Sequence, residues 1–295
     1  MMKELPITFF LDYSSYPEVV RKMYLHEFAD NGGKYLVLNE TMIQQIMQDF
    51  SFAQILRKEA EAEGLAFLDS HAPFAPNIDL IMPHEREFEL TILRQKMHLH
   101  IACMFNVKTM TMHIGNDAAY PELPLETHLD NICRKLDKLL PEAEKCDVII
   151  CMENIWFRNN TPENLLKIKA RFPSDYLGFC YDAAHANIMN NGRLHTTGRA
   201  WDAWNAVGVK TPQWDDKILE KMLPHIVNCH LHDNNGAQDE HKLPGDGCVD
   251  WSHVMPLLRQ APRLQLLQSE VVTARHGIST GKLLERFNKL YSNEL

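Results

Sequence analysis

Six successive predicted β-strands, the third to the eighth, end in side chains that can bind metal ions or transfer protons. If these strand ends met around one axis, their carboxylates would repel one another, and the cluster would be costly without bound cations. A mixture of carboxylate and imidazole donors is typical of zinc, manganese, cobalt or iron(II) sites rather than calcium sites. The strand ends and the loop after the seventh strand carry His71, His113, Glu153, Asp182, His185, His230, Asp239, His241 and Glu270.

We do not predict direct catalytic roles for the other histidines or for the cysteines. Residues two apart in a strand face the same side, so His232 should lie beside His230 and support a metal ligand from behind. His98 and His100 fall in a predicted helix, where we expect surface or packing roles. No cysteine lies in a recognisable His-paired setting, which disfavours a cysteine hydrolase.

Eight short apolar segments have the composition of buried strands, and a helical segment follows each of them. The predicted strands are Pro6–Leu11, Tyr35–Leu38, Ala66–Ser70, Thr109–His113, Val148–Glu153, Leu177–Asp182, Ile226–His232 and Leu264–Glu270. The predicted helices are Pro17–Ala29, Phe52–Glu63, Glu87–Phe105, Glu126–Glu144, Pro162–Arg171, Asp216–Leu223, Val254–Gln260 and Gly281–Tyr291.

This alternation predicts parallel strands with right-handed crossovers, and eight units predict an α/β fold of one domain, a closed (β/α)8 TIM barrel over residues 1–295. An open doubly wound sheet is the alternative, but no Gly-x-Gly-x-x-Gly sequence follows a strand. In a barrel, all the strand ends named above meet on the C-terminal face, where barrel enzymes carry their chemistry.

One connection, between strands six and seven, is much longer than the others and contains Trp201, Trp204 and Trp214. An extra helix packed on the barrel flank would explain the tryptophans. Alternatively, residues of about 186–215 form a lid over the barrel mouth, because long loops in compact domains are often functional.

Composition limits the partners. The chain of 295 residues has a net charge of −9, which disfavours nucleic acid as a partner, although bound cations would cancel part of that charge. No apolar run approaches the ~18 residues that cross a bilayer, so no membrane association is expected. Seven cysteines without a Cys-x-x-Cys pair fit a reducing, cytoplasmic location.

The strand-end motifs resemble those of the xylose isomerase-like barrel superfamily, which contains sugar isomerases and epimerases, inosose dehydratases and apurinic endonucleases of the endonuclease IV type. The resemblance spans residues of about 66–271. It is carried by Glu153-Asn154, Asp182-x-x-His185, His230-Leu-His-Asp-Asn, Asp239-x-His241-x-x-Pro-Gly-x-Gly and Glu270.

The resemblance implies one divalent metal ion, either zinc, manganese, cobalt or magnesium, held by the four residues Glu153, Asp182, His230 and Glu270. It implies a small sugar or polyol substrate and is compatible with a homo-oligomer. Glu153 and Glu270 would be the catalytic pair, one removing a proton beside a carbonyl and the other returning it, with the metal stabilising the enediolate.

The endonuclease members hold three zinc ions with further ligands, whose positions match five residues of this chain: His71, His113, His185, Asp239 and His241. In the sugar-type members these positions would bind metal or substrate. Residues 39–45 and 72–80, read as mouth loops, contain no basic residue for binding DNA.

A departure from the ketose epimerases leaves the substrate open. They carry a substrate-contacting Arg just after the seventh strand, where this chain has Asn234-Asn235-Gly236; Arg193 or Arg275 could substitute. The sequence therefore favours a metal-dependent sugar isomerase or epimerase. A zinc-dependent apurinic endonuclease and an inosose dehydratase-like lyase remain as alternatives.

Overall fold

The computed structural model describes residues 4–295, and these form one closed barrel of eight parallel strands. The strands are β1 (Ile7–Phe9), β2 (Tyr35–Leu38), β3 (Ala66–His71), β4 (Thr109–Met112), β5 (Ile149–Glu153), β6 (Leu177–Asp182), β7 (Ile226–Leu231) and β8 (Leu267–Ser269). Each strand pairs with the next, and β8 pairs with β1 through Ile7 and Leu267. The predicted (β/α)8 barrel is confirmed.

Helices surround the barrel and cover the outer face of its strands. They are α1 (Glu18–Asp30), α2 (Glu40–Gln48), α3 (Phe52–Ala62), α4 (Glu85–Met104), α5 (Leu125–Cys146), α6 (Pro162–Arg171), α7 (Ala183–Asn191), α8 (Arg199–Ala206), α9 (Ile218–Met222), α10 (Trp251–Leu258), α11 (Thr273–His276) and α12 (Thr280–Ser292). Strands β6 and β7 are buried along their whole length, as parallel strands covered on both faces must be. One continuous hydrophobic core joins strands and helices.

The structure differs from the sequence prediction at residues 39–45, which were expected to be a loop. The Asn39 side chain accepts a hydrogen bond from the backbone N–H of Met42 at 3.0 Å and caps α2, whose apolar face buries Met42, Ile43 and Ile46. Similarly, Asp250 caps α10, which therefore begins three residues before the predicted position.

The long connection after β6 contains α7, α8 and α9, of which α9 lies within the predicted helix Asp216–Leu223. The Trp204 indole N–H donates a hydrogen bond to the backbone carbonyl of Trp156 at 2.9 Å, and Trp201 packs edge-on against Trp214. An extra helix on the barrel flank stays a prediction. The role of residues 186–215 as a lid stays a prediction.

Within residues 4–295, no helix combines the length and the apolar character needed to cross a membrane. All seven cysteines are free thiols.

Candidate metal centre at the barrel mouth

Four side chains from four different strands meet at the C-terminal end of the barrel. Register explains the meeting: Asp182 lies beside His230 in the pairing of β6 and β7, Glu153 is the last residue of β5, and Glu270 directly follows β8. One ligand atom from each of the four lies within 4.8 Å of the other three, and all four residues are buried. This is the set that the sequence analysis placed together.

His230 lies at the centre of this four-donor cluster, made up of Glu153, Asp182, His230 and Glu270. Its Nδ1 atom is 3.0 Å from Glu153 Oε1, 3.3 Å from Glu270 Oε2 and 3.7 Å from Asp182 Oδ2. Its other ring nitrogen, Nε2, lies 3.2 Å from the Thr111 hydroxyl, a contact that fixes the ring orientation. Three carboxylates therefore converge on one imidazole nitrogen.

Protons balance the charge of the cluster when no cation is bound. Burial alone would raise the pKa of Glu153 and Glu270, but the neighbouring His230 outweighs burial and holds the pKa of both carboxyls below its usual range. Burial alone would lower the pKa of His230, but the Cys180 thiol and these carboxylates raise it well above its usual value. A divalent cation could replace that proton.

Three further histidines surround Glu153. His113 Nε2 lies 2.9 Å from Glu153 Oε2, His185 Nδ1 lies 3.4 Å from Oε1, and His71 Nε2 lies 4.0 Å from Oε2. Burial, reinforced by the nearby His113, lowers the pKa of His71 to about 4, so this ring is neutral at pH 7. Burial would also lower the pKa of His113, but Glu153 reverses the effect and raises it.

The remaining predicted residues form a second layer beside the cluster. His241 Nε2 lies 3.1 Å from Asp239 Oδ2, and its Nδ1 donates a hydrogen bond to the backbone carbonyl of Glu270 at 2.8 Å. The His241 ring stacks on His232, whose Nε2 lies 3.0 Å from Asp182 Oδ2. His232 therefore supports a predicted metal ligand, as the strand alternation indicated.

The loop after β7 is held in place by one buried carboxylate. Asp233 accepts hydrogen bonds from the backbone N–H of Gly245 at 2.8 Å and from the Trp251 indole at 2.9 Å. Asp233 and Lys242 also form an isolated antiparallel bridge. The bridge fixes His241 in a left-handed conformation with φ of 53°, directed towards the mouth. The Pro-Gly-Asp-Gly sequence is thus a scaffold for Asp239 and His241.

One poorly satisfied carboxylate oxygen indicates that the cluster fits a cation. Glu153 Oε2 is buried, and within the described part of the chain it makes no well-oriented hydrogen bond, although His113 Nε2 lies 2.9 Å away. A buried carboxylate oxygen without a well-oriented donor is costly. Carboxylate and imidazole donors at this spacing suit a divalent metal such as zinc or manganese. The donor set therefore fits the metal that the resemblance implied.

A cavity of about 730 Å³ opens above the four-donor cluster. Seven of the nine predicted residues line it, while Asp182 and His230 lie buried beneath its floor. Further lining residues were not identified from the sequence. They include three carboxyl groups and six aromatic rings: Asp12, Glu40, Asp79, Phe10, Tyr16, Tyr24, Phe74, Trp156 and Phe157.

A Gly-x-Ser-x-Gly match and two arginines are not placed where they could take part in catalysis. Residues 277–281 match Gly-x-Ser-x-Gly, but Ser279 follows α11 rather than a strand, and its side chain caps α12 by accepting from Lys282 N–H. Arg193 and Arg275, considered as substitutes for the epimerase arginine, do not line the cavity.

The comparisons with known proteins agree with the barrel fold. A family model described as "Xylose isomerase-like TIM barrel" matches residues 39–264. The chain belongs to the xylose isomerase-like TIM barrel family. Members of this family in solved structures share its fold over nearly their whole length.

Two curated relatives are uncharacterised. The chain is 23% identical to protein y4fM of Sinorhizobium fredii over 222 residues, which cover 72% of this chain and 64% of the relative, a little less than two thirds. It is 25% identical to protein MJ1311 of Methanocaldococcus jannaschii over 232 residues, which cover 76% of this chain and 71% of the relative.

Three solved structures share the barrel. A D-tagatose 3-epimerase-like protein is 18% identical, with a TM-score of 0.73 over 98% of this chain and 99% of that one. An IOLI protein with a bound zinc atom is 14% identical, with a TM-score of 0.71 over 99% of both chains. The 3-keto-D-glucoside 4-epimerase YcjR of E. coli is 11% identical, with a TM-score of 0.67 over 98% and 100%.

Proposed function

We propose that the protein is a divalent-metal-dependent isomerase or epimerase that moves a proton beside the carbonyl group of a sugar or related polyol ketone. The observation that carries this proposal is the four-donor cluster, whose ligand atoms lie within 4.8 Å of one another at the floor of a cavity. The similarity to sugar epimerases and to a zinc-containing barrel supports it.

Glu153, Asp182, His230 and Glu270 would hold the metal, which would be zinc, manganese, cobalt or magnesium. When bound, the metal would supply Lewis-acid stabilisation of the negative charge that develops on substrate oxygens. Imidazole among the ligands favours a transition metal over magnesium. His232 and Thr111 would hold two of the ligands in orientation.

Glu153 and Glu270 would transfer the protons. Both line the cavity and both contact His230 Nδ1, so both are placed beside a substrate bound above the cluster, where a carboxylate can act as a general base. At least one of the two would keep an oxygen free of the metal for the substrate. Return of the proton to the opposite face gives epimerisation, and transfer to the adjacent carbon gives isomerisation.

The histidines on the cavity wall would bind substrate oxygens. His113, whose Nε2 lies 2.9 Å from Glu153 Oε2, would donate a hydrogen bond to a substrate oxygen that becomes negative. His71 is neutral and would accept or donate a hydrogen bond with a substrate hydroxyl. Trp156, whose ring packs edge-on against His185 at 4.8 Å, would help to exclude water.

The test is solvent deuterium exchange into a panel of ketohexoses, 3-keto-glucosides and inososes, followed by NMR with the metal-loaded protein. We expect exchange by the wild type and a loss of roughly 10²–10⁴-fold for Glu153→Gln or Glu270→Gln. Glu142→Gln, a change on the outer surface, is the matched control and should exchange normally. A variant that retains metal and exchanges at the wild-type rate would remove that glutamate from the mechanism.

Two alternatives predict different results. A dehydratase would begin with the same proton removal but release water, so its product would have lost 18 mass units. One observation supports the alternative of a zinc-dependent apurinic endonuclease. The donor groups that include His71, His185 and His241 overlap with the four-donor cluster, and together they could hold several ions. The endonuclease would require about three zinc ions per chain and cleavage of abasic DNA.

A further inference from the structure

The cavity above the four-donor cluster is lined by acidic and aromatic side chains. Of the described residues that line it, none is Lys or Arg. Beyond the two glutamates of the cluster, the walls carry the carboxyl groups of Asp12, Glu40, Asp79 and Asp239. The four histidines of the lining, His71, His113, His185 and His241, lie against Glu153 or Asp239, whose charge they offset. Away from these contacts, the described walls offer an anionic group carboxylates and no permanent cation.

Glu40 is a wall carboxyl with an unmet hydrogen-bonding requirement and, unlike Asp239, it has no histidine within ion-pair distance among the described residues. It is the first residue of α2, directly after the Asn39 cap, and its position in the wall is therefore fixed by the helix start. Its Oε2 atom is buried and has no hydrogen-bond partner within residues 4–295. Burial, reinforced by Glu270 among its neighbours, raises the pKa of Glu40 to about 7. Such a carboxyl can accept a hydrogen bond or, when protonated, donate one.

Phe74 provides an apolar surface at the rim of the same cavity. It is 45% exposed, an unusual position for a phenylalanine, and its ring centroid lies 4.1 Å from that of His113 and 5.6 Å from that of His71. An exposed aromatic ring that packs against site residues indicates contact with a ligand rather than with the core. The apolar C–H face of a sugar ring suits such a surface.

We propose that the substrate is an uncharged polyol without phosphate or carboxylate groups, and that Glu40 binds one of its hydroxyl groups. This proposal rests on the proposed function, whose substrate class it narrows. Phosphate recognition uses Arg, Lys, or a cluster of backbone N–H groups. The described lining residues include no Arg or Lys, and where the cavity reaches the start of α12, the Ser279 side chain already accepts from the Lys282 N–H. A hydroxyl group gives Glu40 Oε2 the partner that it lacks.

The experiment measures binding separately from turnover. The probes are D-glucitol and D-glucitol 6-phosphate, which have no carbonyl group and cannot react; their dissociation constants are measured by NMR titration of the zinc-loaded protein. We expect the free alditol to bind at least tenfold more tightly than the phosphate. Glu40→Ala should weaken alditol binding by about tenfold, the loss of one hydrogen bond to an ionisable group. Gln44→Ala, an exposed change on the same helix, is the matched control.

Turnover gives the second readout. With an accepted ketose, Glu40→Ala should raise KM by about tenfold with little change in kcat and with unchanged metal content, and Glu40→Gln should restore most of the affinity. Tighter binding of the phosphate, or unchanged alditol binding by Glu40→Ala, would overturn the inference. Proton exchange that is absent for every carbonyl compound would instead overturn the proposed function, since alditol binding is measured without it.

Discussion

Two regions of the molecule bring metal-binding types of side chain equally close together, yet they differ in almost every other respect. One is the four-donor cluster at the barrel mouth. The other, which we term the outer cluster, consists of His100, Glu142 and Cys146 on the surface between α4 and α5. In both, the ligand atoms lie within 4.8 Å of one another. Proximity alone therefore cannot distinguish a metal site from a surface contact.

The difference lies in burial and in competing cations. The side chain of His100 is 60% exposed, and that of Glu142, although only 15% exposed, already lies 3.4 Å from Lys145 and 3.9 Å from Lys96, which offset its charge. At the mouth, the carboxylates are buried, and histidines are the ion-pair partners that surround them in the described chain. Buried carboxylates without a permanent cation are the better sign of a metal site.

The largest expected effect is the loss of one ligand charge at the mouth. Asp182→Asn keeps an oxygen that can accept from the His185 backbone N–H, a contact of 2.6 Å that caps α7, but removes the negative charge. We expect zinc affinity to fall by more than the roughly 10–100-fold associated with outer-sphere partners. Elemental analysis after dialysis would measure the loss, and circular dichroism would check that the fold is kept.

The control for this variant comes from the other region. Glu142→Gln removes one carboxylate charge from the outer cluster and should leave the metal content at about one ion per chain. Equal metal loss in the two variants would contradict the distinction between them. Full metal retention by Asp182→Asn would remove Asp182 from the ligand set.

The four-donor cluster could be predicted from the sequence because the topology requires it. In a parallel barrel every strand ends on the same face, so Glu153 and Glu270 are brought together although 117 residues separate them. Only the identification of strands and of their last residues was needed. A shift of one position in a strand would turn its last side chain away from the barrel axis. The apolar runs before Glu153 and Asp182 are long enough to fix the positions of these two residues.

The cavity wall could not be predicted in the same way. Glu40 belongs to a helix of nine residues whose apolar positions merge with those of α3, so the segment was assigned to a loop despite the Asn39 cap signal. Tyr24 and Phe74 reach the cavity from a helix and from a loop, and their approach depends on packing that no strand register fixes. Predicting these wall residues requires knowledge of how the helices and loops pack on the barrel, which the local sequence pattern does not contain.

The zinc affinity of the four-donor cluster should depend on pH, and this effect is smaller than that of losing a ligand. His230 must be neutral to bind a metal, but its pKa in the metal-free protein is raised well above the usual value. Metal binding below that raised pKa therefore releases a proton, so the apparent zinc affinity should rise with pH through the neutral range, by up to about tenfold per pH unit for one released proton. Competition with a metal-sensitive dye would measure this slope. A flat profile would show that the cluster is already deprotonated.

The smallest expected effect is that of removing the outer cluster. His100→Ala deletes an exposed ring whose contact with Glu142, at 3.1 Å, is open to water, while its contact with the buried Cys146, at 3.8 Å, is part-buried. We expect a change of no more than about 0.5 kcal/mol in the free energy of unfolding, because exposed pairs contribute little. Metal content should be unchanged. If His100→Ala instead released a second equivalent of zinc, closeness of donors would suffice for binding, and burial would no longer distinguish the barrel mouth from the surface.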